Sequence, residues 1–561
     1  MLYPQMNEKR EVYSLNGIWN FKCVEDDYIP EKKGKDTSFM AVPASMNEIV
    51  TEKSVRDHVG KVLYEREFSL PVSKEKQYRL RIGSASHKCE IYLNGEKIGD
   101  GINGHYPVDL PLENLRENNR LSVVIDNRLD FSCLPVGRIE TNGKQTINHD
   151  FYNFTGIHRD VSVYSLPENP IEDIVVHTVE DGDYRKVRAE VKTAGQVRSY
   201  TVYDRENNVV AFSERAEFLI EHPMLWNPQN PYLYTLCVKT ENDCYRQKFG
   251  IRKIEVKGNR FLINDNPVYF KGFGMHEDFF IHGKGKDTAL NIRNFELLKW
   301  ICANSFRTSH YPYSEEIMDL ADEYGIMVID EVPAAGLNNW GESSFTPDRV
   351  NEETKSLHKE LIKRLIDRDK NHPSVVMWSL GNEPDTKDDA SYVYFSEVFA
   401  YARTLTDMPL TFANYQAAGT ERCFGLCDVV MINRYYSWYS DHGDLSAIER
   451  DLSKEVETIY KEVKKPIILS EFGADTIEGL HALPSETFSE EYQEEVLRIN
   501  CETLDKYCYC IGEQIWNFAD FKTKQGLTRV RGNRKGVFTR DRQPKLSAYY
   551  LKSRWEKKKG K

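Results

Sequence analysis

The sequence predicts three domains. A jelly-roll β-sandwich spans 1–167, an immunoglobulin-like β-sandwich 168–256 and a (β/α)8 barrel 257–561. Three observations predict them. At 561 residues the chain is too long for one hydrophobic core. Up to about residue 256 it reads as short alternating strands bounded by turn signals. Beyond that point buried-strand runs alternate with amphipathic helical patterns, the signature of parallel βα units.

In the first segment, Tyr78-Arg79-Leu80-Arg81-Ile82 alternates, and Glu90-Ile91-Tyr92-Leu93 runs into Asn94-Gly95, a strong hairpin signal. Leu121-Ser122-Val123-Val124-Ile125 is a further strand, and no amphipathic helix is expected to interrupt the set. Leu166-Pro167-Glu168-Asn169-Pro170 reads as a linker. In the second segment the strand candidates are 174–177, 187–191, 199–203 and 233–238. The Cys-Trp-Cys spacing of disulfide-bonded immunoglobulin domains is missing, so that likeness is architectural. In the third, the strand candidates are 269–274, 305–310, 325–331, 375–380, 410–414, 429–434, 466–470 and 511–517. Helical stripes fall between several of them: Leu290, Phe295, Leu298 and Ile301; a helix opened by Ser314; and Leu357, Leu361, Leu365 and Ile366.

Composition narrows the function classes. A net charge of −12 argues against nucleic acid and anionic membrane as partners. No run reaches the roughly 18 apolar residues of a membrane span, and the first residues lack the apolar region of a signal peptide, so a cytoplasmic location is expected. Eleven cysteines without a metal-like C-x-x-C pair read as free thiols, and neither a metal nor a cofactor is expected.

The chemistry is carried by two glutamates at strand exits. Val375-Val376-Met377-Trp378-Ser379-Leu380 delivers Asn382-Glu383-Pro384, and Pro466-Ile467-Ile468-Leu469-Ser470 delivers Glu471. They follow strands four and seven of the expected barrel, and a barrel places its reacting groups at the C-terminal strand ends. Cleaving an acetal requires two such groups, one protonated to assist the leaving oxygen and one ionised to attack the sugar. Asp330-Glu331, at the end of strand three, reads as support for that pair through hydrogen bonds.

Over essentially its whole length the chain resembles glycoside hydrolase family 2, and within it the β-glucuronidases. The resemblance rests on 148–159 (NHDFYNFTGIHR), Leu225-Trp226-Asn227-Pro228, Arg307-Thr308-Ser309-His310-Tyr311-Pro312 and Gly381-Asn382-Glu383-Pro384. Asn433-Arg434-Tyr435-Tyr436, Ser470-Glu471-Phe472-Gly473 and 516–521 (WNFADF) complete it. It implies retaining hydrolysis, with Glu383 matching the acid/base, Glu471 the nucleophile and Asn382 the residue that bonds the sugar 2-hydroxyl. Asn533-Arg534-Lys535 matches the motif that binds the C6 carboxylate; a fixed cation beside a neutral donor suits a carboxylate, and Gly532 and Gly536 permit close backbone approach. Asp150, His310, Asn433, Tyr435, Tyr439, Trp516 and Arg529 match further residues around the sugar. The implied substrates are β-glucuronides, small molecules or oligosaccharides, and a homo-oligomer, a tetramer among the options, is expected. The loop 336–353 is shorter than in some relatives, which implies an open aglycone side, with Trp340 and Phe345 as candidate aglycone contacts. Two alternatives stay open: a relative acting on β-galacturonides or β-galactosides, and a carbohydrate-binding protein whose barrel no longer reacts.

Overall fold

The structure is a computed structural model that describes residues 2–30, 37–338 and 343–558. The N-terminal domain packs a four-stranded sheet against a six-stranded one. The first holds Val12–Ser14, Val161–Leu166, Gln77–Ile82 and Val108–Pro111; the second is centred on Lys61–Ser69 and Asn118–Asp126, paired over their full lengths. Alternation sends Trp19, Phe21, Tyr64, Leu80, Ile82, Val123 and Ile125 into the space between them. The hairpin expected at Asn94-Gly95 joins Lys88–Leu93 to Glu96–Gly101. Against the expectation of an all-strand domain, two single-turn helices occur, Met46–Ile49 and Lys53–Arg56. They are too short to carry the hydrophobic stripe by which a helix is read from sequence.

The second domain is a sandwich of a three- and a four-stranded sheet. All four expected strands are present, as Ile171–Thr178, Lys186–Thr193, Val197–Tyr203 and Tyr234–Thr240. Ile254–Lys257, at the junction with the barrel, pairs forward with Arg260–Ile263. Phe261 and Ile263 of this small sheet pack with Trp226 against Phe270, Met327, Val376, Met431 and Ile468, closing the barrel floor.

The barrel closes through eight parallel strands in sequential order. They are Phe270–Gly274, Ser305–Arg307, Met327–Glu331, Val375–Asn382, Leu410–Asn414, Val430–Asn433, Ile467–Glu471 and Cys510–Ile515, so each expected strand is present. Every residue in them is buried, because helices cover the outside and side chains fill the inside. Ser314 caps Glu315–Tyr324, accepting from the Ile317 amide, and Gly325 ends that helix in the left-handed conformation (φ 71°). The fifth connection departs from the eightfold pattern: residues 415–429 hold only the 3-10 turn Phe424–Leu426. The Glu421 carboxylate accepts from the Cys423 and Phe424 amides at 2.6 and 2.7 Å, which satisfies that turn without an α-helix.

Candidate active site

The C-terminal strand ends open into a cleft of about 730 Å³. Its walls include Thr146–Asp150 of the first sandwich as well as barrel residues, so the two domains build it together. The sandwich segment is held by the pairing of Phe151 with Thr523 and by the Tyr152 amide donating to Lys522 O at 3.1 Å.

Glu383 stands just beyond strand four with φ 49°, in the left-handed region that costs a non-glycine residue about 1–3 kcal/mol. Neighbouring groups hold it there: its amide donates to Ala413 O at 2.8 Å and its carbonyl accepts from Asn338 Nδ2 at 3.0 Å. Its carboxylate accepts from Asn433 Nδ2 at 2.9 Å. Desolvation first, and the charge of Glu471 second, push its pKa up to about 7.

Glu471, the last residue of strand seven, has different company. Arg307 Nη2 donates to its Oε1 and the Tyr435 hydroxyl to its Oε2, the latter at 2.7 Å. Burial moves its pKa upward while Arg307 and Tyr435 oppose that shift. Arg307, at the end of strand two, is fully buried and also donates to both oxygens of Glu331 at 2.8 and 2.9 Å. Glu331 further accepts from Ser379 at 2.7 Å and pairs with His310 Nδ1 at 2.8 Å, the supporting position expected of it. The ring of His310 stacks on Trp516 at 5.2 Å, and both line the cleft. Asn382 Oδ1 lies 3.4 Å from both Arg307 Nη1 and Asn433 Nδ2.

On the opposite wall, Arg529 Nε and Asn533 Nδ2 both donate to Asp150, at 2.9 and 2.8 Å. Arg529 Nη2 also donates to the Tyr439 hydroxyl at 2.8 Å. The close approach expected of Gly532 and Gly536 is present: a methyl group on either would overlap the segment 519–521. That contact lays the basic loop along the exit of strand eight, with the Asn533 amide donating to Phe521 O at 2.9 Å.

The cleft therefore gathers Glu383, Glu471, Asp150, His310, Asn382, Asn433, Tyr435, Tyr439, Trp516, Arg529 and Asn533. Lys535 stands beside these residues and is not itself part of the cleft wall. Its side chain has no exposure; the ammonium pairs with Asp475 and donates to the Tyr439 hydroxyl at 2.9 Å. A desolvated ammonium requires such a counter-charge, and a sequence motif does not disclose it. Phe345 departs from the expected aglycone contact: it is buried against Tyr394 and Phe395, at 5.0 and 5.9 Å, and does not line the cleft. Trp340 lies outside the described residues. Arg307 and Asp475 are the residues that sequence reasoning missed. For Arg307 a signal existed, a charged side chain closing a strand that is otherwise buried. Tyr415 and Tyr436 also line the cleft and were likewise missed.

Asp319, Asp322 and His372 meet away from the cleft with ligand atoms within 4.8 Å of one another. Asp322 pairs with His372 Nδ1 at 2.6 Å and raises the histidine pKa to about 10, so the ring is a cation and a poor metal ligand.

Comparison with known proteins agrees with this architecture. Residues 254–559 match the family model for the TIM barrel domain of glycosyl hydrolases family 2, residues 12–167 its sugar binding domain, and residues 159–252 a further model of that family. The β-glucuronidase of Paenibacillus borealis is 42% identical, with 99% of this chain and 98% of that protein covered. The human β-glucuronidase is 37% identical, with 99% and 92% covered. Among solved structures, a β-glucuronidase of an uncultured Clostridium superposes with a TM-score of 0.96 at 46% identity, covering 99% of this chain and all of that one. The Ruminococcus gnavus β-glucuronidase in complex with uronic isofagomine superposes at 0.94 and 39% identity, covering 99% and 98%. The chain belongs to glycosyl hydrolases family 2.

Proposed function

We propose that the chain is a retaining exo-β-D-glucuronidase, releasing glucuronate and an aglycone through a covalent glycosyl-enzyme intermediate. The observation that carries the chemistry is the unequal company of the two glutamates. Glu383 accepts one bond from a neutral amide and has a pKa near 7, so it holds a proton to give. Glu471 has a guanidinium and a phenol on its oxygens, partners that favour the ionised form. Glu471 attacks the anomeric carbon while Glu383 protonates the departing oxygen. Glu471 is then an ester without charge, the acidity of Glu383 rises, and Glu383 takes a proton from the water that hydrolyses the ester. Asn382 and Asn433 are joined to both carboxylates through Arg307 and direct bonds, which supports Asn382 as the partner of the sugar 2-hydroxyl.

The uronate reading rests on Arg529, Asn533 and Lys535, two cations and an amide held in place by Asp150 and Asp475 as counter-charges. The match to a relative solved in complex with uronic isofagomine supports the same class.

The deciding experiment compares hydrolysis of nitrophenyl β-glucuronide, β-galacturonide and β-galactoside by the purified protein. The expected result is strong preference for the glucuronide. Equal rates on the galactoside would remove the carboxylate reading and leave a retaining family member; inertness toward all of them would restore the binding-protein alternative.

A further inference from the structure

Asp475 stands four positions beyond Glu471 (475 − 471), on the strand-seven exit that carries the nucleophile. It is 2% exposed. Its Oδ1 accepts from the Arg534 amide at 2.7 Å, its Oδ2 takes the Lys535 ammonium, and Arg529 Nη1 lies 3.6 Å away. A second clasp joins the same two segments: the buried Gln493 amide donates to Ala474 O and Lys535 O, each at 3.2 Å. The rings of Tyr439, Trp438 and Tyr435 surround the ammonium at 4.7, 5.2 and 5.6 Å. Those rings turn faces toward the cation but supply no net charge, so Asp475 is the counter-ion that makes a buried ammonium tenable.

The other carboxylate of this wall behaves differently. The Asp150 side chain is 33% exposed and holds Arg529 from the cleft side. Of the two carboxylates, Asp150 is the accessible one and Asp475 the buried one.

We propose that Asp475 is a specificity-determining positioning residue. It fixes Lys535 and the basic loop to the strand that carries Glu471, so that the C6 carboxylate and the anomeric carbon are registered against one rigid segment. This inference rests on the glucuronidase reading above.

The test uses the full-length protein as wild type, Asp475→Asn, Lys535→Met and the double variant. The quantity read is the ratio of kcat/KM for nitrophenyl β-glucuronide to that for nitrophenyl β-glucoside, which differ only at C6. Asp475→Asn is expected to lower the ratio by about tenfold or more, as loss of a charged hydrogen bond does. The double variant should match Lys535→Met, because Asp475 acts through that lysine. Both substrates slowing equally in Asp475→Asn would mean a purely structural role and would overturn the proposal. A higher ratio would mean that Asp475 competes with the substrate, which also overturns it. Should Asp475→Asn alone not fold, the double variant leaves no orphan charge; a ratio below that of Lys535→Met would then contradict action through the lysine. An unchanged ratio in Lys535→Met would sink the uronate reading itself, whereas a fall there without one in Asp475→Asn would sink only the present inference.

Discussion

Glu383 and Glu471 have the same functional group and both feel desolvation, yet only Glu471 has a cation bonded to its carboxylate among the contacts described. Arg307 is the residue that separates them: it lies against Glu471 and Glu331 and makes no bond to Glu383 among the contacts described. The assignment has a pH signature. The working form needs Glu383 protonated, and its pKa of about 7 means that activity is present below that pH. As pH rises through about 7, kcat/KM should fall by about tenfold per unit. The acid limb, set by Glu471, should lie above the ordinary carboxylate range because burial raises that group as well. A profile flat from pH 6 to 9 would contradict the role given to Glu383. Its replacement by Gln should lower kcat/KM by about 10²–10⁴ for substrates with poor leaving groups and spare kcat/KM for nitrophenyl substrates, which leave without a proton, while kcat falls for both through loss of the base. kcat/KM measured across aglycones of graded acidity checks this; equal losses in kcat/KM on all of them would count against it.

At the scale of elements, the site is a set of strand exits. Strand two brings Arg307, strand three Glu331, strand four Asn382 and Glu383, strand six Asn433, and strand seven Glu471. Each is anchored by a buried strand, which explains how charged groups are held without slack. The basic loop has no strand of its own and depends on contact with 517–521. Gly532 has φ 122° and its α-carbon faces the Phe521 carbonyl. Gly532→Ala should therefore cost about 1–3 kcal/mol and displace Asn533. Urea unfolding would read the first effect and the glucuronide-to-glucoside ratio the second; a stable variant with unchanged ratio would show that the loop tolerates the displacement.

For the whole molecule, the first sandwich is part of the catalytic half and not an appendage. Tyr106, Leu134, Val136 and Phe151 of that domain belong to the same buried cluster as the barrel. The Tyr106 hydroxyl donates to Leu361 O at 2.9 Å, and Arg159 Nη2 reaches Pro312 O at 2.6 Å. Asp150 reaches the cleft only because this interface is tight. Tyr106→Ala removes a fully buried ring and a hydrogen bond and should cost about 3–5 kcal/mol. Calorimetry should show the sandwich and barrel melting together at lower temperature in the variant. A separate sandwich transition, with the barrel unchanged, would show that the domains are energetically independent.

The sequence by itself determined the domain order, the eight barrel strands and the placing of two glutamates at strand exits. These are local properties: strand runs with β-branched residues, turn pairs such as Asn94-Gly95, and short motifs at strand exits can be read without knowing what lies across the fold. It did not disclose that residues 415–429 hold no α-helix, because Glu421 satisfies that turn by bonds that leave no periodic trace. Nor did it disclose that Phe345 packs inward, since an aromatic in a loop reads the same whether it faces a cleft or a helix. Only the tertiary structure decided the charge arrangement. Arg307 and Glu471 are 164 positions apart, and Asp150 and Arg529 are 379. Lys535 has a cleft-facing motif and a buried ammonium, and the difference is made by Asp475, which the fold places against it. Electrostatic roles depend on what lies within a few ångströms after folding, and spacing along the chain does not encode that distance.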